Sequence, residues 1–153
     1  MMNPSVARQK YTYPEGDVYD GCWNNEGKKH GIGILNLTDG SKYEGKFSDG
    51  LFDGHGILTF PDGSKYEGEF SKGKYNGYGI YTRCDGMKYE GKFSEGKVNG
   101  PGLITFPDNG HGRPRNEGIF EGTKLLKREK VPEAIEKAQK AGDRARKVKL
   151  DQR

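Results

Sequence analysis

Aromatic and charged residues alternate along the chain in short stretches that recur about every 23 residues. In residues 65–70, for example, Tyr66, Gly68 and Phe70 share one parity, and two glutamates occupy the positions between them. Such alternation predicts a β-strand with one apolar face and one charged face. A second alternating stretch follows at residues 77–82, after the segment SKGKYNG, which we interpret as a loop. Each unit therefore predicts a β-hairpin.

Four units carry the same pair of aromatic residues four positions apart: Tyr19 and Trp23, Tyr43 and Phe47, Tyr66 and Phe70, and Tyr89 and Phe93. A turn such as PDG closes a unit, because proline presets φ and glycine accepts a positive φ. Since hairpin follows hairpin, the simplest topology is an antiparallel meander. The chain has no residues left for a second sheet. We therefore predict an all-β fold, an elongated single-layer antiparallel sheet of tandem hairpins, followed by one C-terminal α-helix.

The two faces of this sheet are predicted to differ in character. The front face carries the aromatic rings together with Gly45, Gly68 and Gly91, whose missing Cβ lets a neighbouring ring lie over the backbone. The back face carries charges and threonines, and we expect Glu67 and Glu69 to keep it hydrated. It also carries one aliphatic stripe, formed by Ile34, Ile57, Ile80 and Leu103.

Both ends of the array depart from the repeated pattern. Residues 10–16 match only the second strand of a unit, and residues 116–120 have Asn116 in place of the tyrosine. Atypical terminal units are typical of repeat proteins. We divide the chain into a flexible N-terminus (1–9), a sheet of one half-repeat, four full repeats and one degenerate repeat (10–122), and a basic C-terminal segment (123–153).

A helical pattern lies within the basic segment, at about residues 132–149. Pro132 suits the first position of a helix. A narrow stripe of mostly small residues follows at helical spacing. Because small residues let a helix approach its neighbour closely, we expect this helix to lie against the aromatic front face near its C-terminal end. The stripe consists of Ile135, Ala138, Ala141, Ala145 and Val148.

Composition and charge narrow the classes of function. Hydrophobic residues make up only 31% of the chain, which argues against a thick buried core. Residues 1–123 carry 15 basic and 17 acidic side chains, a net charge of −2. Residues 124–153 carry 11 basic and 5 acidic side chains, a net charge of +6. A nucleic-acid reader would need its basic patch on the acidic body, so nucleic-acid binding is not expected. No stretch resembles a signal peptide or membrane span, which favours a cytoplasmic protein.

The sequence offers no constellation for catalysis or metal binding. The three histidines, His30, His55 and His111, fall in different units, and no Cys/His spacing suits zinc. Cys22 and Cys84 lie about five strands apart, or ~24 Å, which is too far for a disulfide. The Gly-x-Gly pairs lack the third glycine and the following helix of a dinucleotide site. We therefore predict a non-enzymatic protein without cofactor or metal.

The repeated pattern Tyr-x-Gly-x-(Trp/Phe)-x-x-Gly-x-x-x-Gly-x-Gly, seen at residues 43–56 and 66–79, resembles the MORN repeat. The resemblance covers about residues 10–122. Residues 106–130 and the basic tail are similar to the retinophilin family. That resemblance implies a concave groove that binds the tail of a class III myosin, and a cytoskeleton-associated location in actin-based protrusions such as stereocilia, filopodia or rhabdomeres.

One unit departs from the pattern at its turn. Cys84 replaces the turn proline, and Arg83 stands where Phe60 and Phe106 stand in other units. Arg83 either interrupts the apolar row or supplies a specific polar contact.

The leading interpretation is a non-enzymatic adaptor that binds a peptide segment of a partner protein in an aromatic and glycine groove, because contiguous exposed apolar surface marks interaction sites. Variation at the equivalent loop positions Phe52, Tyr75 and Val98 either tunes partner choice or belongs to plain solvated loops. Any single ring in this face could instead serve only to pack on its neighbours and hold the sheet. The expected partner-contacting residues are Tyr19, Trp23, Tyr43, Phe47, Leu58, Phe60, Tyr66, Phe70, Tyr81, Arg83, Tyr89, Phe93 and Phe106.

Two other functions compete with this interpretation. The basic C-terminal segment could bind anionic lipids and bring the protein to a membrane surface. Exposed sheet edges or the aromatic face could form a homodimer, although we expect a monomer.

Overall fold

The computed structural model describes residues 8–107 and 115–150, with the side chain of Leu150 left out. Within these residues the chain forms eleven strands and one helix. The strands are β1 (Arg8–Thr12), β2 (Val18–Trp23), β3 (Lys29–Asn36), β4 (Lys42–Ser48), β5 (Leu51–Thr59), β6 (Lys65–Ser71), β7 (Lys74–Thr82), β8 (Lys88–Ser94), β9 (Lys97–Thr105), β10 (Arg115–Glu121) and β11 (Lys124–Arg128), and the helix is α1 (Pro132–Leu150).

All eleven strands belong to one open sheet in which the spatial order equals the chain order. Every neighbouring pair is antiparallel. The predicted fold class, a single-layer meander of hairpins with a C-terminal helix, is confirmed. The sheet is longer than predicted: it begins at Arg8 and ends at Arg128, because β11 pairs with β10. The predicted flexible segment 1–9 lies mostly outside the described residues.

The hairpin tips are tighter than the sequence suggested. In the third unit Ser71 pairs with Lys74, so only Lys72 and Gly73 form the turn, with φ of 50° and 86°. Two positive φ values are typical of a type I′ turn, whose twist matches the twist of the strands. The prediction of a loop over SKGKYNG was therefore wrong, and Tyr75 lies within β7. The same two-residue turns recur at Asp49–Gly50 and Glu95–Gly96.

A bulge next to each tip explains why the segment looked like a loop. Gly68 pairs with Gly79, but the next pair is Phe70 with Tyr75, so three residues of β7 lie opposite one residue of β6. Gly77, inside the bulge, has φ of 104°. Bulges bend a strand and increase its local twist. Here the Tyr75 ring stacks on the Tyr66 ring, with centroids 4.1 Å apart.

The front face covers itself with rings that lie over glycine. The Tyr66 ring lies over Gly79 of the adjacent strand, where a Cβ would overlap the tyrosine hydroxyl. That hydroxyl donates a hydrogen bond of 2.8 Å to the carbonyl oxygen of Glu69. The predicted role of Gly68 needs correction, because a Cβ there would lie 2.5 Å from the Cα of Gly79. Gly68 thus permits close backbone approach, and Gly79 receives the ring.

The helix packs on the back face, which contradicts the prediction that it lies against the aromatic face. It crosses β4 to β9, over the strands that carry the buried Ile57, Ile80 and Leu103. At Gly142 a Cβ would lie 2.8 Å from Cδ1 of Ile80, so the small residue sets the close approach. The expected hydration of the back face was also wrong at Glu67, which is buried. The helix bounds agree with the predicted residues 132–149 to within one residue.

Candidate functional site

The inner layer of the front face consists of rings that bury one another. The Phe70 ring lies 5.0 Å from that of Tyr66 and 5.1 Å from that of Tyr43, edge to face in both cases. This geometry recurs from unit to unit. Seven of the predicted contact residues belong to this layer and are at most 4% exposed: Tyr19, Tyr43, Phe47, Tyr66, Phe70, Tyr89 and Phe93. Their exposed area is too small for them to serve as primary contacts, so the structure assigns them to the core of the sheet.

The outer layer is formed by half-buried apolar residues, together with the exposed Arg83, near the ends of the second strands and their turns. Most of the remaining predicted contact residues lie here, while Trp23 lies at the N-terminal end of the sheet, against Tyr19. Two further residues were missed. Leu37 occupies the place of Phe60 in its unit, and Met87 occupies the place of Ser64, so alignment of the units could have found both. We name this layer the front strip: Leu37, Leu58, Phe60, Tyr81, Arg83, Met87 and Phe106. Its apolar members other than Phe60 pack against the aromatic core.

No other described element covers the front strip. The helix contacts its sheet partners on the back face, through Glu67 and Glu90 among others. The positions predicted as adjustable loop residues do not cover it either. Phe52 stacks on Tyr43 with centroids 3.9 Å apart, and Tyr75 stacks on Tyr66 in the same way. They are strand residues packed against the core, so the prediction that they form loops was wrong.

Arg83 introduces a charge into the front strip and neutralises it locally. Its Nη2 lies 2.5 Å from Oδ2 of Asp85, and its Nε lies 3.0 Å from Oδ1. The guanidinium is the main reason that the pKa of Asp85 is lowered to about 2, and the Met87 amide, which donates to Oδ1, adds to the effect. Both side chains are about half exposed. The pair therefore presents a fixed polar fork between apolar neighbours.

The turn that holds Arg83 keeps its geometry although cysteine replaces proline. Cysteine has an amide N–H that proline lacks, and the Cys84 amide donates to Oγ of the buried Ser64 at 3.2 Å. The turn hydrogen bond from Gly86 to the carbonyl of Arg83 measures 2.8 Å, against 3.0 Å for the equivalent bond from Gly63 to Phe60. The departure thus changes the chemistry of the strip without changing the turn.

The buried tyrosine hydroxyls serve structure. Each donates to the carbonyl oxygen three residues further along its own strand, as Tyr43 does to Lys46 at 2.8 Å. Burial raises the pKa of Tyr43 and of Tyr66 far above the usual range, so both stay neutral. Cys22 and Cys84 are free thiols. The described residues contain no group of three or more His, Cys, Asp or Glu side chains that could hold a metal ion, and the only described helix is too polar to cross a membrane.

The hairpin with its tyrosine over glycine is the unit that sequence comparison detects. Residues 19–42, 43–65, 66–88 and 89–111 each match the MORN repeat, and together they make up more than half of the chain. The chain belongs to the MORN repeat family. It is also similar to the MORN repeat-containing protein 4 homolog of Drosophila melanogaster, with 62% identity over 136 residues that cover 89% of this chain and 69% of that protein.

The MORN sheet of this chain continues beyond the four matched repeats. The hairpin of β10 and β11 lacks the repeat tyrosine, which is Asn116 here. Its Phe120 is almost fully buried and lies 5.6 Å from the Tyr89 ring, edge to face. The degenerate unit therefore closes the aromatic layer at this end.

Proposed function

We propose that this MORN protein is an adaptor whose front strip binds a peptide segment of a partner protein, and that the partner is the tail of a class III myosin. The observation that carries the proposal is the unequal cover of the two faces. The back face has its helix, whereas the half-buried apolar residues of the front strip have no described cover. Open apolar surface of this kind is typical of binding sites.

The spacing within the strip suits an elongated ligand. Phe60, Arg83 and Phe106 stand at equivalent turns, two strands apart, so neighbouring members are separated by ~9.6 Å. The three turns together span ~19 Å, which is the length of roughly six residues of extended chain. Equal spacing along a line supports a peptide segment rather than a compact small molecule.

The Arg83–Asp85 pair provides the polar discrimination within this proposal. A partner that places a polar or acidic group opposite the fork gains a charge-assisted hydrogen bond. A wholly apolar partner would leave that fork buried and incompletely paired, which costs about 1–3 kcal/mol per unsatisfied group. The middle of the ligand is therefore expected to be polar and its flanks apolar.

Calorimetric titration of the full-length protein with a class III myosin tail fragment tests the proposal. Phe60→Ala and Tyr81→Ala should each raise the dissociation constant about tenfold, since each removes about 1–2 kcal/mol of apolar contact. Leu51→Ala is the matched control, because Leu51 is 50% exposed at a hairpin tip outside the strip. Folded Phe60 and Tyr81 variants that bind as tightly as wild type would refute it.

Membrane association through the basic segment is the weaker alternative. Two of its cations are already engaged by the sheet, since Arg146 Nη1 lies 3.0 Å from Glu67 Oε2 and Lys149 Nζ lies 3.6 Å from Glu44 Oε1. Deleting residues 124–153 would also remove β11 and the helix, so charge substitutions are the better test of this alternative.

A further inference from the structure

The two sides of α1 on the back face differ in how their charged side chains are paired. On one flank the repeat glutamates are matched by the C-terminal segment: Glu90 accepts from Gln139 at 3.1 Å and Glu67 from Arg146 at 3.0 Å. On the other flank, sheet and helix both contribute cations that form no salt bridge with a described residue. We name this second side the basic flank: Lys46, Lys92, Lys137 and Arg144.

The first position of the basic flank is built around Tyr78. Nζ of Lys92 lies 5.6 Å from the centroid of the ring, and Nζ of Lys137 lies 5.4 Å from it. Lys92 comes from the strand paired with Tyr78, and Lys137 comes from the helix. Tyr78 and Lys137 line a cleft of about 320 Å³, together with Glu133 and with Lys130, whose Nζ lies 3.6 Å from Oε1 of Glu117. Two cations from different elements thus converge on one aromatic wall.

The second position is built around His55. Lys46 extends over the backbone of Gly54, where a Cβ would lie 3.2 Å from its Cδ. Arg144 lies two helical turns beyond Lys137. Burial is the main reason that the pKa of His55 is lowered, and Arg144 and Lys46 lower it further, while Glu69 raises it.

Acidic groups on this flank are few and partly engaged. Glu69 pairs across the strands with His55, and its Oε1 accepts the Tyr78 amide at 3.1 Å. Glu133 lies at the edge of the first position. Four positive and two negative side chains leave the flank with a net charge of +2. Lys140, the next cation of the helix, is held by Glu136 at 3.0 Å and takes no part.

The two positions are separated by one MORN repeat. Tyr78 and His55 lie two strands apart, or ~9.6 Å. Lys137 and Arg144 are seven residues apart on the helix, or ~10.5 Å. A polyproline II segment repeats every three residues with a rise of ~3.1 Å per residue, so residues three apart lie ~9.3 Å apart on the same side. The spacing of the two positions therefore matches acidic residues three positions apart in an extended chain.

We propose that the basic flank binds an extended acidic protein segment with one carboxylate at the Tyr78 position and another, three residues away, at the His55 position. A flat membrane would instead meet the outer side of the helix, where charges are mixed and partly paired, as Lys140 is with Glu136 at 3.0 Å. The site lies on the face opposite the front strip and is independent of the proposed function.

A fluorescent peptide of four Glu-Ser-Ser triplets, titrated into the full-length protein at low salt, tests the proposal. The pairs Lys92→Gln/Lys137→Gln and Lys46→Gln/Arg144→Gln should each weaken binding at least fivefold. The control pair Lys97→Gln/Lys124→Gln makes the same charge change at exposed hairpin tips, and should weaken it less than twofold because it leaves both positions of the basic flank intact. An isomeric peptide with its four glutamates contiguous should bind at least threefold more weakly.

A measurement on the wild-type protein tests the proposal without relying on the folding of any variant. In an NMR titration of His55, the triplet peptide should raise the pKa of the imidazole, because a nearby carboxylate favours the charged form. Phe60→Ala should bind the peptide as wild type does, which separates this site from the front strip.

Three results would overturn the proposal. The isomeric peptide could bind as tightly as the triplet peptide, or the tip variant could lose as much affinity as the flank variants. Either result would mean that acidic peptides bind the protein only by non-specific electrostatic attraction. Alternatively, the triplet peptide could leave the wild-type protein and His55 unaffected while phosphatidylserine vesicles bind and release on substitution of the flank. The flank would then be a membrane contact.

Discussion

The front and back faces of the MORN sheet are made by the same strands, yet they are covered by different means. On the front, rings from one strand lie over the glycine of the next, so the sheet provides its own cover. On the back, an aliphatic stripe and three buried glutamates need a helix of small residues above them. The front cover is therefore distributed over every repeat, and the back cover depends on one segment. Damage to the front should spread through the fold, whereas damage to the back should stay local.

Gly68→Val is expected to have the largest effect on stability, a loss of about 4 kcal/mol or more, because its Cβ would meet the backbone of Gly79 and Tyr78, which cannot give way. Chemical denaturation monitored by circular dichroism measures the loss. Thr82→Val, in the same hairpin, is the control and should change stability by less than about 0.5 kcal/mol. A stable Gly68→Val protein would show that the glycine row has another cause.

Gly142→Leu should perturb the back face by about 2 kcal/mol, since the larger side chain collides with Ile80 and pushes the helix outwards. Hydrogen exchange should show faster exchange in the helix and unchanged protection of β6 and β7. Lys147→Leu provides a matched substitution at an exposed position of the same helix. Equal loss of protection in helix and sheet would contradict the idea that the two covers fail separately.

Alkaline pH should lower the folding stability of the protein, because the buried tyrosines of the front face must ionise when it unfolds. Substitution of a single tyrosine should therefore change how steeply stability falls with pH. The folded-state pKa of Tyr43 and of Tyr66 lies above the unfolded value of 10.0, so their contribution to stability is complete below pH 10 and is lost as the pH rises further. Tyr66→Phe should make the fall in stability shallower by up to about 1.4 kcal/mol per pH unit above pH 10, and Tyr43→Phe should do the same. Urea denaturation between pH 9.5 and 11 measures the slopes, and an unchanged slope in both variants would contradict the assignment.

The elements that the sequence predicted well depend on local rules. Alternation around Tyr66 gave the strand and its faces, and Pro132 with its stripe gave the helix to within one residue. The hairpin tips were misjudged because two glycines in SKGKYNG resemble a loop. The positive φ of Lys72 and the bulge at Gly77 become visible only in the register of β6 and β7.

The candidate site was predicted only in part. Parity placed Tyr66, Phe70, Leu58 and Phe60 on one face, but parity does not state how far each side chain stands above the sheet. The Tyr66 ring lies over Gly79 and is fully buried, whereas Phe60, at a turn, is only half-buried. Leu37 and Met87 could have been found by aligning the units.

The sequence by itself determined the repeat, the strand faces, the meander and the presence of a C-terminal helix, because each follows from spacing and side-chain chemistry within one unit. Only the tertiary structure decided which face the helix covers. Ala141 and Gly142 require a close partner, and both faces offered apolar surface. The rings of the front pack into the space above the glycines of the next strand, which leaves the aliphatic stripe of the back as the surface that gains most from burial under the helix.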